Sequence, residues 1–490
     1  MKYVLSIITI IGMFLFSSCG KNYLDVNRTP NNPLTVPAAT ILPVTQISMA
    51  FANSNELGRA ASVLMQHNAG LANQVLQEDI YNLDNQLDNQ WSFELYGNGI
   101  VNLKTLISDH EATNPVYSGM AKIQMAYMFS LATDLFGDVP YSEAALGEAN
   151  LTPRFDKQED IYQGNATLGI QSLFDLVKSG IADLDKNTGI FKPGNDDLIY
   201  KGDLTKWKRA ANTMLLKFAL QISNKNPTLA KSTIDAVLAG NTYINSNAVD
   251  FEVPFGSTVG NQNPLYSYNF VNTFQGTLIL STRYRNLMYS LNDTVRLARQ
   301  YTKPNGVFTT FDNGAALTAA AVPALATRSR YNTYLTGTGE APVRLLTFAQ
   351  VNFIFAESAL ILGTAGDPNT YFQAGIRAHM QKTGMSTAEI DQYFLTNPAV
   401  VTLTGDTEAK RRQIITQKYI SWVGNSIEAY NDYRRTRYPT LALTQNAAGD
   451  NPNVIPERYP YTPNEISRNP NVPLNNGIRP QTDLKVWWAK

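Results

Sequence analysis

Apolar side chains recur along much of this chain at the three- and four-residue spacing of an amphipathic α-helix. The clearest case follows Asn114 and Pro115, a capping residue and the residue type favoured at the first helical position. Its apolar residues keep helical spacing until Gly137 stops the helix: Val116, Met120, Ile123, Tyr127, Leu131 and Leu135. The opposite side is apolar as well, so we expect other elements to surround this helix.

A second helix is predicted over residues 347–363, where Thr347 and Gln350 have the spacing of a capping box. Further stretches with helical periodicity are 57–77, 89–108, 159–184, 204–223, 406–422 and 426–435. Strict alternation of apolar and polar residues is rare in the chain. The pattern therefore predicts an all-α fold with one large helical domain.

Two long stretches lack this periodicity. Residues 240–342 are rich in asparagine, glycine, threonine and aromatic side chains, and residues 445–483 are rich in proline and asparagine. Irregular segments of this length in a compact protein are usually functional or poorly ordered. We expect them to form loop excursions from the helical body, and we expect ligand contacts there.

The first residues have the pattern of an export signal. Lys2 precedes an apolar run that is shorter than the ~20 residues of a membrane-spanning helix, so residues 1–18 are predicted to be a signal peptide. Cys19, the only cysteine, ends this run after two serines, in an arrangement that resembles the lipobox of bacterial lipoproteins. We therefore predict acylation at Cys19, a lipidated tether over 19–43, and a folded domain over 44–490.

The charge balance limits the class of partner. The chain has 40 basic and 40 acidic residues, and only 16% of its residues are charged. Nucleic-acid binding requires a basic surplus, so a nucleic acid is not expected as a partner. A neutral ligand is the simpler expectation.

No motif for a metal, a cofactor or a nucleophile is present in the sequence. The three histidines, His67, His110 and His379, lie far apart without a partner at metal-ligand spacing. The sequence has neither a G-x-S-x-G elbow nor a Walker A motif. Paired carboxylates for glycoside hydrolysis depend on a spatial separation, so a surface glycoside hydrolase stays open as an alternative.

Several short motifs occur together in a specific order. Residues 133–141 read T-D-L-F-G-D-V-P-Y, close to the pattern T-D-x-[aromatic]-G-D-V-P-Y. The other matching stretches are Gly202-Asp203 with Lys206-Trp207 and Ala211-Asn212, Arg344 to Thr347 with Ala356-Glu357-Ser358, Gln417-Lys418-Tyr419, Glu428 to Thr436, and Trp487-Trp488. Together these motifs span the chain, and it resembles the SusD/RagB family of outer-membrane nutrient-binding lipoproteins.

The resemblance implies tetratricopeptide-like helix pairs, with long loop excursions forming the ligand face. It also implies that the protein is not an enzyme and uses no cofactor. Family members lie over a TonB-dependent (SusC-like) outer-membrane transporter and capture oligosaccharides, or in some members peptides, for import. We therefore expect a surface-facing, lipid-anchored outer-membrane protein, with peptide binding as the alternative within uptake.

Acidic and basic residues of the motifs are expected to be structural, because a signature shared by proteins with different ligands marks the scaffold. This set consists of Asp134, Asp138, Glu357, Asp432, Arg434 and Arg435. Asp432 and Arg435 are three residues apart on one helix and are expected to pair.

Ligand contacts are expected instead on aromatic and amide side chains of irregular segments. Aromatic planes stack on the apolar faces of sugar rings, and amides match pairs of hydroxyls. The predicted ligand-binding residues are Asn73, Gln74, Tyr81, Tyr266, Tyr268, Asn269, Phe270 and Tyr334. Neighbouring residues of the same segments, His67, Asn68, Phe274 and Tyr331, are weaker candidates.

Overall fold

The computed structural model describes residues 36–271, 274–318 and 320–490. The predicted signal peptide, Cys19 and most of the predicted tether lie outside the described residues. A compact unit begins at Ala38, where the first helix also starts. Residues 38–43 therefore belong to that helix and not to the tether, because Ile41 and Leu42 are buried in the core.

Helices make up most of the regular structure. Up to residue 300 they are α1 (Ala38–Ser54), α2 (Glu56–Leu64), α3 (Asn73–Asp79), a π-helix (Gln90–Ile100), α4 (Val101–His110), α5 (Pro115–Phe136), α6 (Gln158–Gln163), α7 (Leu173–Lys186), α8 (Leu204–Gln221), α9 (Pro227–Gly240), α10 (Pro264–Tyr266) with a π-helical turn (Ser267–Val271), α11 (Thr282–Ser290) and α12 (Thr294–Gln300). The later helices are α13 (Phe348–Ile361), α14 (Pro368–Lys382), α15 (Thr387–Thr396), α16 (Pro398–Val401), α17 (Thr407–Ser421), α18 (Ser426–Thr436) and α19 (Pro463–Arg468). Short 3-10 turns occur at Gly147–Ala149, Ala166–Leu168, Asn247–Val249, Pro304–Gly306 and Leu325–Thr327. The predicted all-α class is confirmed.

Three small antiparallel sheets of two strands each connect distant parts of the chain. They pair β1 (Asn68–Gly70) with β5 (Leu278–Leu280), β2 (Val139–Pro140) with β3 (Phe155–Asp156), and β4 (Phe251–Val253) with β6 (Val343–Leu346). In the first sheet Asn68 lies opposite Leu280, so it joins the segment after α2 to the region 240–342.

Helices that are close in the sequence pack in pairs, as the predicted tetratricopeptide-like arrangement requires. The pairs are α5 with α7, α8 with α9, α13 with α14, and α17 with α18. Two glycines allow α5 and α7 to approach closely, because a Cβ atom on Gly119 would lie 2.7 Å from the carbonyl oxygen of Gly180. Larger side chains at this crossing would force the two backbones apart.

Helix α5 agrees closely with the sequence prediction. It begins at Pro115, ends before Gly137, and is buried along its whole length. Gly137 has a φ of 82°, in the left-handed region that glycine adopts without strain. The Asn114 side chain does not cap the helix, because its oxygen accepts the backbone N–H of Phe191 (2.8 Å).

The capping box predicted at the start of α13 forms only in part. The Thr347 hydroxyl accepts the backbone N–H of Gln350 (3.2 Å), as expected. The Gln350 side chain instead donates to the Glu428 carboxylate (3.1 Å) on α18. A tertiary contact has taken the place of the second half of the local motif.

The helix predicted over 57–77 is wrong as a single element. It divides into α2, β1 and α3, because Gln66 adopts a left-handed conformation (φ 57°) and ends the first helical segment. At Gly70 a Cβ atom would lie 2.4 Å from the carbonyl oxygen of Val75. Only glycine permits this close turn between the strand and the next helix.

The region 240–342 is less irregular than predicted. Its described residues include α10, α11, α12, β4 and β5. These elements are only three to nine residues long, too short for helical periodicity to be recognised in the sequence.

The acidic residues of the motifs make contacts within the protein, in line with the structural role expected for them. Asp134 is fully buried, and its carboxylate accepts from the Tyr162 hydroxyl (2.7 Å) and the Trp488 indole N–H (2.9 Å). Asp138 accepts the backbone N–H of Gln158 (2.9 Å). These contacts hold α5 against α6 and the end of the chain.

A second buried group links α13, α17 and α18. The Glu357 carboxylate receives two hydrogen bonds from Arg435 (2.6 and 2.7 Å) and one from Arg411 (2.9 Å). Asp432 pairs with Arg435 (2.8 Å), as predicted, and with Lys418 (2.9 Å). We call Glu357, Arg411, Lys418, Asp432 and Arg435 the ion cluster.

Candidate functional site

The segment 264–274 carries four aromatic rings that form two contacting pairs. The Asn263 side chain accepts the backbone N–H of Leu265 (2.7 Å) and so starts α10, which continues into the π-helical turn Ser267–Val271. The rings of Tyr266 and Phe270 lie 5.2 Å apart, tilted by 30°. The rings of Tyr268 and Phe274 are stacked, 5.6 Å apart with 17° between their planes. We call these four residues the aromatic platform.

Each ring pair has an arginine over one of its rings. The Arg59 guanidinium lies 4.3 Å from the centre of the Tyr268 ring, and that of Arg330 lies 4.4 Å from the centre of Phe270. Cation–π contacts of this kind hold a ring in one orientation. Tyr268 and Phe270 are half-buried, whereas Phe274 is 37% exposed. The platform is therefore a partly exposed aromatic surface with fixed rings.

Arg59 itself belongs to a buried polar group. It donates to both oxygens of Glu78 (3.0 and 3.3 Å) and lies 4.0 Å from Glu56. Burial raises the pKa of Glu78 to about 7, and the attraction of Arg59 opposes this shift. Burial also raises the pKa of Glu56. Protonation of Glu78 would change the charge next to Tyr268 near neutral pH.

Gln74, a predicted ligand-binding residue, lies at the edge of this polar group. It is half-buried and hydrogen-bonds to Glu56, and its amide donates to the Gln86 carbonyl (2.6 Å). Nearby, the Asn55 amide donates to the Glu94 carboxylate (2.6 Å), and burial raises the pKa of Glu94 to about 7. Gln74 thus lies beside Glu56, which is 4.0 Å from Arg59.

Two predicted ligand residues are buried and therefore corrected to packing residues. Tyr81 is 2% exposed, its hydroxyl accepts the backbone N–H of Thr444 (2.8 Å), and burial raises its pKa to about 12. Asn269 is 3% exposed and its amide donates to the Leu265 carbonyl (2.9 Å). Side chains with so little exposed surface cannot contact a ligand in this conformation.

Two predicted residues remain: Tyr334 lies beside the platform segment, and Asn73 lies at the start of α3. Tyr334 is half-buried, carries the Arg344 guanidinium 4.1 Å from its ring centre, and shares a cleft with Leu265. Asn73 is exposed at the start of α3 with a φ of 55°. Both stay predictions.

Three of the weaker candidates, His67, Asn68 and Tyr331, are also buried. His67 bonds to the Ser426 hydroxyl (2.7 Å), and burial lowers its pKa to about 3, so it is neutral. The Asn68 amide donates to the hydroxyl of Tyr331, and both residues are 2% exposed. These residues position the loops behind the platform.

Sequence reasoning missed Arg59 and Arg330. Arg59 lies in a segment predicted to be helical, about 200 residues from Tyr268 in the chain, and no local pattern links the two. Arg330 is one residue before Tyr331, and only the ring of that tyrosine stands out in the sequence. An arginine close to an aromatic-rich loop gives no signal of its own unless the fold is known.

Other features of the described residues give less support for a ligand site. A cavity of about 700 Å³ lies between α7, α8 and α9, but most of its wall surface is apolar, with Ile181, Leu215 and Leu229 among the lining residues, and none of the described residues that line it is aromatic. Within the described ranges no three histidine, aspartate or glutamate side chains are grouped to hold a metal ion. In that same part of the chain, no helix is both long and apolar enough to cross a membrane.

Comparison with known proteins identifies the family. A family model named SusD-like and described as starch-binding and associating with the outer membrane matches residues 30–462. Among curated proteins no match is found.

Solved structures share the fold. A chitin-binding protein is 24% identical with a TM-score of 0.77, and the match covers 92% of this chain and 100% of that one. A SusD homologue from Bacteroides uniformis is 23% identical with a TM-score of 0.75, covering 92% and 98%. A chitin-binding SusD homologue from Flavobacterium johnsoniae is 20% identical with a TM-score of 0.74, covering 92% and 97%. The fold is shared over the whole helical domain, and with the family model matching most of its length, the chain belongs to the SusD-like family.

Proposed function

We propose that this protein is a surface-exposed outer-membrane lipoprotein that binds an oligosaccharide and delivers it to a SusC-like TonB-dependent transporter. The aromatic platform carries this proposal, because four fixed rings on an exposed turn offer planes for the C–H faces of sugars. The amide of Asn55, which lines a cleft with Arg59 and Tyr268, can match ligand hydroxyls.

The family description supports a sugar ligand, and two structural relatives are described as chitin-binding. Starch-derived and chitin-derived oligosaccharides are therefore the first ligands to test. Peptide binding is the alternative within uptake.

The binding test uses the purified domain with both oligosaccharides and a mixed peptide pool in titration calorimetry. We expect saturable binding of an oligosaccharide with no product after long incubation, and little change between low and high salt, because a neutral ligand gains no long-range steering. Binding of the peptide pool alone would favour the alternative. A steep loss of affinity with salt would indicate a charged ligand.

A glycoside hydrolase is the second candidate, and one observation favours keeping it. Glu94 accepts a hydrogen bond from Asn55, which lines a cleft with Arg59 and Tyr268, and burial raises the pKa of Glu94 to about 7, as a general acid requires. If the protein cleaves the sugar, Glu94→Gln should abolish product formation. If the protein only binds the sugar, neither the wild type nor Glu94→Gln yields product.

The lipid anchor is tested at Cys19. Cys19→Ser is expected to prevent labelling by a fatty-acid probe and to release the protein into the periplasm, because the thiol that accepts the lipid is lost. Ser18→Ala keeps a small residue before the cysteine and should still be labelled. Labelling of Cys19→Ser would contradict the anchor. Protection of the wild type from protease added to intact cells would contradict surface exposure.

A further inference from the structure

A second pocket lies away from the platform, between α4, α5 and α7. Its volume is about 390 Å³, within the range of small-ligand sites. Its walls combine polar and apolar side chains, and the apolar ones come from all three helices: Ile107, Met125, Phe129 and Leu176. We call it the α4–α5–α7 pocket.

One lysine of this pocket, Lys122, already forms ion pairs with two carboxylates. Lys122 is 7% exposed, and its ammonium bonds to Glu111 (2.5 Å) and Asp183 (2.6 Å). Burial alone would lower the pKa of Lys122, but these two carboxylates raise it. Lys122 is therefore a charged structural group rather than a donor for a ligand.

Other polar groups of the pocket remain available. In the part of the chain that the structure describes, neither the Lys104 ammonium nor the hydroxyls of Tyr141 and Ser179 have a hydrogen-bond or ion-pair partner. The Tyr141 ring packs edge-on against Phe129 (4.7 Å, 89°) and is thereby fixed. Burial raises the pKa of Tyr141, so its hydroxyl stays a donor. Gln171 adds an exposed amide at the rim.

We propose that the α4–α5–α7 pocket binds a small acidic sugar, one or two rings in size. Lys104 pairs with its carboxylate, since this is the one lining cation among the described residues without a carboxylate of its own. Tyr141, Ser179 and Gln171 match its hydroxyls, and the apolar walls cover a C–H face of the ring. This site is separate from the platform and does not depend on the function proposed for it.

Glucuronic acid, glucose and inorganic phosphate are the probes for this site, measured by saturation-transfer NMR and calorimetry on the whole domain. Glucuronic acid should bind, and glucose, which lacks the carboxylate, should bind about tenfold more weakly or not at all. Equal binding of the two sugars, binding of phosphate alone, or no binding of any probe would overturn the proposal.

Two variants locate the site. Lys104→Met should weaken glucuronic acid binding about tenfold, whereas Lys225→Met, a change of an exposed lysine outside the pocket, should have no effect. Ser179→Phe should fill the pocket and abolish binding, with oligosaccharide binding at the platform and the melting temperature unchanged. Unchanged glucuronic acid binding in Lys104→Met or Ser179→Phe would overturn the proposal.

Discussion

Replacement of Glu357 with alanine is expected to lower the free energy of unfolding by about 3–5 kcal/mol. Glu357 is fully buried and accepts three hydrogen bonds from Arg435 and Arg411. Without it, both guanidinium groups would stay buried with too little negative charge around them. Urea unfolding measures the loss, and Glu148→Ala, a change of an exposed glutamate, should alter the free energy by less than about 0.5 kcal/mol.

The same carboxylate gives a pH dependence with a defined sign. Burial would raise the pKa of Glu357, but the two arginines lower it to about 2, below its usual value of 4.5. Its contribution to stability is therefore complete above pH 4.5 and is lost as the pH falls towards 2. The stability difference between the wild type and Glu357→Gln should be constant near neutral pH and shrink below about pH 4.5. Two results would contradict this role of the ion cluster: a stability difference from Glu357→Gln that stays constant down to about pH 3, or a decrease in the free energy of unfolding of less than about 1 kcal/mol in Glu357→Ala.

The long helices could be predicted because their signals are local. In α5 the proline at the start, the apolar spacing and the final glycine all lie within the element itself or directly after it. The prediction of a single helix over 57–77 was wrong because the division of this segment depends on a sheet with residues 278–280. Such long-range pairing leaves no periodic trace, and the left-handed residue that begins the break is a glutamine rather than a glycine.

The candidate site could be predicted only in part, for a related reason. The sequence indicated an aromatic loop, and the structure pairs the ring of Tyr266 with that of Phe270, and the ring of Tyr268 with that of Phe274. The sequence alone could not distinguish Tyr268 from Tyr81, because both are tyrosines in irregular segments. Burial separates them, and burial of Tyr81 depends on the chain near Thr444, more than 350 residues later.

Triple replacement of Tyr266, Tyr268 and Phe270 with alanine is expected to reduce oligosaccharide affinity by up to ~1 kcal/mol for each ring removed, or about 100-fold in total. These rings form the centre of the platform, with Arg59 over Tyr268 and Arg330 over Phe270. Their removal would take away the stacking surface while leaving both arginines in place. Calorimetry with the oligosaccharide that binds the wild type measures the effect.

Stability measurements on the same variant distinguish ligand contact from packing. The three rings are half-buried on a surface turn, so we expect only a small change in melting temperature. If the rings instead pack in the core, their removal would leave cavities, and the protein would be destabilised while its affinity for the oligosaccharide stayed the same. Phe191→Ala is the matched control, because this ring is 68% exposed on the loop between α7 and α8, outside the platform. It should leave affinity and stability unchanged, and a destabilised triple variant with wild-type affinity would refute the platform as the sugar site.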